Sequence, residues 1–293
     1  LKDVAKLTAY FVATLFVGAL VAPILFWSAQ SLAAHGLFSF LARFDFETFF
    51  HRALLLAAAV LLWPFLRVSQ ARSMADLDLA PNPRWGRDLV AGGVISVAPL
   101  LCCGALLIAL NVYGFRHGFA WTRFGKMILA SVTVPFIEEA FFRGIVLGVL
   151  LRTGRKYVAM FAVSAIFAAV HFLKAPERTS EIVTWTSGFS SITHAFDGIG
   201  DATPLISALA TLFFIGWILA DGRVLTHSLW LPIGLHAGWI FGSGTFARLA
   251  RQQFPAFPWM GNNMLVGIIP LGVAAVTWML MRIWLKYVRS SQV

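Results

Sequence analysis

Apolar residues run along this chain in eight blocks separated by polar intervals, at 7–29, 52–69, 89–113, 124–152, 155–173, 203–221, 223–245 and 264–287. A block of about 20 residues rises roughly 30 Å as an α-helix, the thickness of a bilayer's hydrocarbon core. Backbone exposed to lipid must satisfy its own hydrogen bonds, so each block is predicted to be a transmembrane helix. Residues 31–50 mix Phe and Leu with Arg43, Asp45 and Glu47 and predict an amphipathic helix lying on the membrane surface. Residues 76–85, broken by Pro81 and Pro83, predict a loop with Trp85 at headgroup level. Residues 174–203 form the longest polar interval after it and hold Glu177, Glu181, His194, Asp197 and Asp201. No repeat of 20–50 residues and no matching pair of interrupted helices is visible. The expected fold is all-α: one integral membrane domain over residues 1–293, a polytopic helix bundle of about eight spans with an interfacial amphipathic helix.

Composition closes off a soluble chain, since 59% of residues are hydrophobic, 12% are charged and the mean hydropathy is +0.79. The net charge of +10 could suggest nucleic acid, but the 23 Lys and Arg sit between apolar blocks rather than in a tail or stripe. Juxtamembrane cations facing a lipid bilayer account for that distribution, and no nucleic-acid partner is expected. Eight spans with the N-terminus inside place Lys2, Lys6, Arg67, Arg72, Arg84, Arg87, Arg152, Arg155, Lys156, Arg223, Arg282, Lys286 and Arg289 on the inner side, 13 against nine outside. The bias favours cytoplasmic termini, and a prokaryotic cytoplasmic (inner) membrane is the expected location. Cys102 and Cys103 are adjacent in one block, which suits helix packing and fits neither a distant disulfide nor a metal-ligand spacing.

One block carries charge at its centre. Glu138, Glu139 and Arg143 lie about midway between Lys126 and Arg152, where each charge costs roughly 2.5–3.5 kcal/mol and must face protein or a water-filled cavity. Glu139 and Arg143, four residues apart, share a helix face and can pair, while Glu138 points about 100° away. The pair could be an inert buried ion pair, but that leaves Glu138 unexplained. Two adjacent carboxylates in low dielectric are the setting in which proteins place a general base. Two further blocks carry a polar point each: Phe167 and His171, one turn apart, at the end of the fifth, and His236 in the middle of the seventh.

Taken together, these motifs resemble the CAAX-protease and bacteriocin-processing family of glutamic-type intramembrane proteases, which includes the type II CAAX prenyl endopeptidases. Glu138, Glu139 and Arg143 match the family's Glu-Glu-x-x-x-Arg, Phe167 and His171 its Phe-x-x-x-His, and His236 the start of its His-x-x-x-Asn or Asp. The core carrying them spans residues 124–245. The fourth position after His236 is Ile240, a departure, because isoleucine cannot donate a hydrogen bond. Trp239 and Ser243 are candidate replacements as oxyanion or supporting groups, through the indole N–H of one and the return of the other to the His236 face. The resemblance implies an intramembrane endopeptidase acting on a membrane protein or a lipidated peptide substrate, with no covalent intermediate and no cofactor. Glu138 is the general base in that reading, and His171 holds or polarises the water. Glu139 and Arg143 orient the site, and His236 donates to the developing oxyanion.

Three other readings stand beside it. Two His and a Glu form a common zinc set, although no His-Glu-x-x-His is present and His227, nine residues before His236, falls on the opposite helix face. His35, His51, His117 and His194 read as ordinary interfacial histidines. A proton-coupled carrier could use the same carboxylates as a relay. A non-proteolytic membrane scaffold or immunity protein would account for Ile240.

Overall fold

Helix-breaking glycines, turn residues and one carboxylate cap divide the apolar blocks where the polar intervals fall. The structure is a computed structural model that describes residues 2–116, 118, 121–172, 182–194, 202–261 and 263–290. The elements are α1 (Lys2–Ala34), α2 (Phe46–Val68), α3 (Trp85–Ala109), β1 (Tyr113–Phe115), α4 (Trp121–Glu139), a π-helical segment (Ala140–Val146), α5 (Leu147–Leu151), α6 (Lys156–Phe172), α7 (Ser187–Thr193), α8 (Ala202–Thr226), α9 (Trp230–Leu249), β2 (Ala250–Gln252) and α10 (Ile268–Ser290). Each of the eight predicted spans falls mainly on helix, but the sixth runs on to Thr226 and the seventh begins only at Trp230, and the fourth is the continuous rod α4–π–α5. By length and composition α1, α2, α3, α8 and α10 can each cross a membrane. The predicted all-α architecture holds, with β1 and β2 pairing antiparallel as one short ribbon.

The predicted interfacial helix at 31–50 is not one helix. Gly36 and Phe38 take positive φ and stop α1, and a 3-10 turn covers Ser39–Arg43. Asp45 then opens α2 by accepting a hydrogen bond from the Thr48 N–H. Of the polar interval at 174–203, residues 174–181 and 195–201, with Glu177, Glu181, Asp197 and Asp201, lie outside the described residues, as does His117.

The chain forms two compact units, Leu1–Ser73 with Ala169–Gly200, and Met74–Ala168 with Asp201–Val293. In the first, α1 and α2 run antiparallel. Tyr10 stacks on Phe65 at 4.8 Å, Phe26 meets Phe46 at 5.9 Å, and Gly18 lies against Leu54 between them. Gly188 of α7 sits on the backbone of Ala19, where a side chain would not fit.

The second unit is organised by close backbone approach of α3 and α9. Down the interface Gly93 faces Gly234, Ser96 faces Gly238, Leu100 faces Gly242 and Gly104 faces Phe246, so the helices are parallel with small residues meeting every four positions. Lipid gives no hydrophobic drive between helices, so association depends on such close van der Waals packing. A polar network pins the 76–88 interval to the ends of the helices. Arg223, fully buried, donates to Asp78 at 2.9 Å and to the Leu77 carbonyl, Arg152 donates to the Asp76 carbonyl at 2.8 Å, and Asn82 donates to Asp88 at 2.7 Å. Arg223 is therefore an internal anchor and not the surface cation expected. His227 lies in the turn between α8 and α9 with φ 49° and meets Asp78 at 3.1 Å, so it is not on the back of the seventh helix. Of the two cysteines expected to pack between helices, Cys103 is half-buried and Cys102 is exposed.

Gly234→Ala is expected to lower the melting temperature in detergent and to cost about 1–3 kcal/mol, because its Cβ would overlap the Leu89 carbonyl oxygen. Gly272→Ala, in α10 with open space around it, should leave the midpoint unchanged or raise it. Thermal unfolding of the two variants side by side checks both.

Candidate active site

The charged motif lies where the fourth rod changes winding. Glu138 and Glu139 end α4, and Arg143 sits inside the π-helical segment Ala140–Val146. A π segment widens the turn, occurs mostly as a short insertion within an α-helix, and is frequent at functional sites. Glu139 and Arg143 are both fully buried, and Arg143 Nη1 donates to Glu139 Oε1 at 2.9 Å, forming the pair that the four-residue spacing predicts. Arg143 Nη2 donates to the Gly216 carbonyl of α8 at 3.2 Å, and the guanidinium lies 4.2 Å from the centre of the Phe167 ring. Gly216 lets α6 come close, because a Cβ there would sit 3.1 Å from the Ser164 Cα.

His236 completes the cluster from α9. Two residues from both Gly234 and Gly238, it lies about 160° around the helix from each, so the face opposite the α3 contact carries the imidazole. Its Nδ1 is 2.8 Å from the same Glu139 Oε1 that Arg143 holds. A carboxylate bound to a guanidinium only accepts, so Nδ1 carries the hydrogen and Nε2 is turned outward. Nε2 is 3.9 Å from Glu138 Oε2, too far for a direct hydrogen bond and a distance that one water can bridge. The Glu138 side chain is 27% exposed, whereas Glu139 is fully enclosed. Phe167 packs edge-on to His236 at 6.0 Å and to Phe142 at 5.3 Å, walling the ring in.

Five of the predicted site residues thus converge in the second unit: Glu138, Glu139, Arg143, Phe167 and His236. His171 follows Phe167 by one turn at the end of α6, half-buried, in the part of that helix that belongs with the first unit. Ile240 is half-buried. Trp239 and Ser243 lie further along α9 and line an apolar pocket. The Ser243 hydroxyl donates to the Trp239 carbonyl at 2.6 Å, so it is already engaged within its own helix.

Sequence reasoning missed the Gly216 carbonyl, which nothing in the sequence marks. It also missed the Gly234, Gly238 and Gly242 stripe that sets the rotation of α9, although the four-residue glycine spacing was there to find. Among the described residues no group of three or more His, Cys, Asp or Glu is arranged to hold a metal ion. Glu139 Oε2 and Arg143 Nε are buried without a hydrogen-bond partner among the described residues, as is Nε of the anchor Arg223.

Residues 120–242 match the family model of type II CAAX prenyl endopeptidases, described as Rce1-like. The comparisons with curated proteins and with solved structures each gave no match.

Arg143→Ala is expected to destabilise the protein by about 3–5 kcal/mol, because it leaves Glu139 as a buried charge without its cation. Expression level and melting temperature should both fall, while Glu138→Gln, at a partly open position, should match wild type in both.

Proposed function

We propose, from the premise that residues 120–242 are a domain of the Rce1-like CAAX-protease family, that this integral membrane protein hydrolyses peptide bonds with a water activated by Glu138. The observation that carries the reading is the arrangement of both carboxylates around one imidazole, with Glu139 on Nδ1 and Glu138 facing Nε2. Glu138 is the more open of the two and has the reach to take a proton from a water lying between its carboxylate and the ring. Glu139 is a positioning group. It fixes the ring orientation of His236 much as a carboxylate behind a catalytic histidine does.

With Nδ1 committed to Glu139, Nε2 donates to an oxyanion only as imidazolium, and the anion at 2.8 Å offsets the charge of that form. Arg143 and the Gly216 carbonyl hold Glu139 in place. His171 carries over from the family motif as the histidine that polarises the water. We assign no metal to the reaction, because the sequence contains no His-Glu-x-x-His and the family pattern it resembles supplies a glutamate as the base.

The substrate class is a membrane-embedded or membrane-associated protein, and the family's name points to prenylated C-terminal tails. The basic residues favour both termini on the cytoplasmic side of a prokaryotic inner membrane.

Glu138→Gln should abolish cleavage of a co-purified substrate, read by mass spectrometry of the cut ends, with folding intact. More than a few per cent of wild-type cleavage would remove Glu138 from the role of base. Chelator-treated, dialysed protein should keep its activity and contain far less than one zinc per chain. Stoichiometric zinc lost together with activity in His171→Ala would replace the glutamate mechanism with a metal one.

A further inference from the structure

The two ends of the second unit differ in charge. Where α3 and α9 begin, cations meet carboxylates: Arg87 lies 3.0 Å from Asp88 and Arg223 2.9 Å from Asp78, while Arg282 lies 2.7 Å from Asp221. Where they finish, residues 110–126 and 246–263 hold Arg116, Arg123, Lys126, Arg248 and Arg251 and no Asp or Glu. The antiparallel ribbon draws these two segments together, with Arg251 opposite Gly114. Tyr113 and Ala250, on one face of the ribbon, are buried, so the other face is the outward one. The Arg116 N–H bonds the Leu249 carbonyl and carries the ladder one pair further. Arg116 thereby shares the outward face with Arg251 as its diagonal neighbour, about 7–8 Å away.

The bare carbonyls at the end of α9 attract cations and account for part of this cluster. Arg116 Nε donates to the Ala247 and Ala250 carbonyls at 3.1 and 3.0 Å, and Arg248 Nη1 to the Gly244 carbonyl at 2.8 Å. They do not account for Arg251 and Lys126, both exposed and making no ion pair or hydrogen bond among the described residues. Lys126 belongs to the same end because Met127, the next residue, packs on Gly244 and receives the Thr245 hydroxyl. Arg248 Nε and Gln252 Nε2 are buried without an acceptor. Donors are thus in excess here, and the complementary group is an anion. The same two segments expose Phe115, Trp121, Phe254 and Trp259, side chains of the kind that collect at headgroup level.

We propose that the outward face of the β1–β2 ribbon, with Lys126 at the start of α4, binds the phosphate of an anionic phospholipid such as phosphatidylglycerol. The lipid belongs to the leaflet on the side of the α9–α10 connection. Arg116 and Arg251 flank the phosphate, and the exposed aromatic side chains hold the ribbon at headgroup depth. The lack of any carboxylate in these segments sets the selectivity. A zwitterionic headgroup brings an ammonium that finds no anion beside it and meets like charge instead, whereas phosphatidylglycerol brings the phosphate alone.

The test uses purified protein in mild detergent, titrated with phosphatidylglycerol or phosphatidylethanolamine and read by native mass spectrometry and by melting temperature, so it does not depend on cleavage. Wild type should retain one phosphatidylglycerol and melt several degrees higher with it, and phosphatidylethanolamine should do neither. Arg251→Gln with Lys126→Gln, which breaks no described hydrogen bond, should weaken phosphatidylglycerol retention about tenfold or more. Arg251→Gln alone decides the matter if the double variant does not fold. Arg155→Gln with Lys156→Gln, at the exposed turn between α5 and α6, should bind as wild type does. Equal retention of the two lipids would overturn the site, and so would unchanged retention in the folded Arg251 variants. An equal loss in the Arg155 and Lys156 variant would reduce the effect to general surface charge and overturn it as well. Full displacement of the lipid by millimolar inorganic phosphate would assign the face to a free anion, and displacement by a soluble acidic peptide would assign it to a protein. Either result overturns the lipid assignment.

Discussion

The buried carboxylate of Glu139 is the constraint on which the site depends. A charge withdrawn from water and lipid headgroups is costly unless it is paired and hydrogen-bonded, and here a single oxygen receives both a guanidinium and an imidazole. That requirement ties the fourth rod to α9. Arg143, which supplies the cation, has to be held in turn, and the Gly216 carbonyl and the Phe167 ring hold it from α8 and α6. Four helices are thereby fixed around one anion. The π-helical winding at Ala140–Val146 lies at the point where the rod turns from the carboxylates to their counter-ion.

Such an arrangement needs helices that stay at fixed rotation and depth while surrounded by lipid. The α3–α9 interface meets that need through small residues. Gly92, Gly234 and Gly238 bring the two backbones together so closely that added side chains would collide with carbonyl oxygens or with Ser96. With its glycine face committed to α3, α9 presents His236 on its other side. Packing and chemistry are thus properties of opposite faces of one helix. The same helix continues into Trp239 and Ser243, where the polar lining gives way to apolar surface.

A second polar network secures the far end of the unit. Arg223 reaches Asp78 and the Leu77 carbonyl, and Asp221 receives both the Trp278 indole and the Arg282 guanidinium. These contacts hold a proline-broken interval and α10 against α8. Arg223 and Asp221 are the buried charges here, and each is matched by a more open partner from a distant part of the chain.

The sequence by itself determined the eight helical blocks, because runs of about 20 apolar residues admit little besides helix in a membrane. It also marked Glu138, Glu139, Arg143, His171 and His236 as candidates, because ionised or polar groups within apolar blocks are costly, while Phe167 was marked only by its motif. It misread residues 31–50, where positive φ at Gly36 and Phe38 and the Asp45 cap break a pattern that composition alone renders as one amphipathic helix. It could not assign the imidazole to Glu139 as well as Arg143, nor show that the hydroxyl of Ser243 is engaged within its own helix. Those facts depend on helix rotation, on the π-helical turn and on contacts between residues nearly one hundred positions apart. A pattern of polar and apolar positions records which groups are buried, but only the tertiary structure decides which buried groups meet.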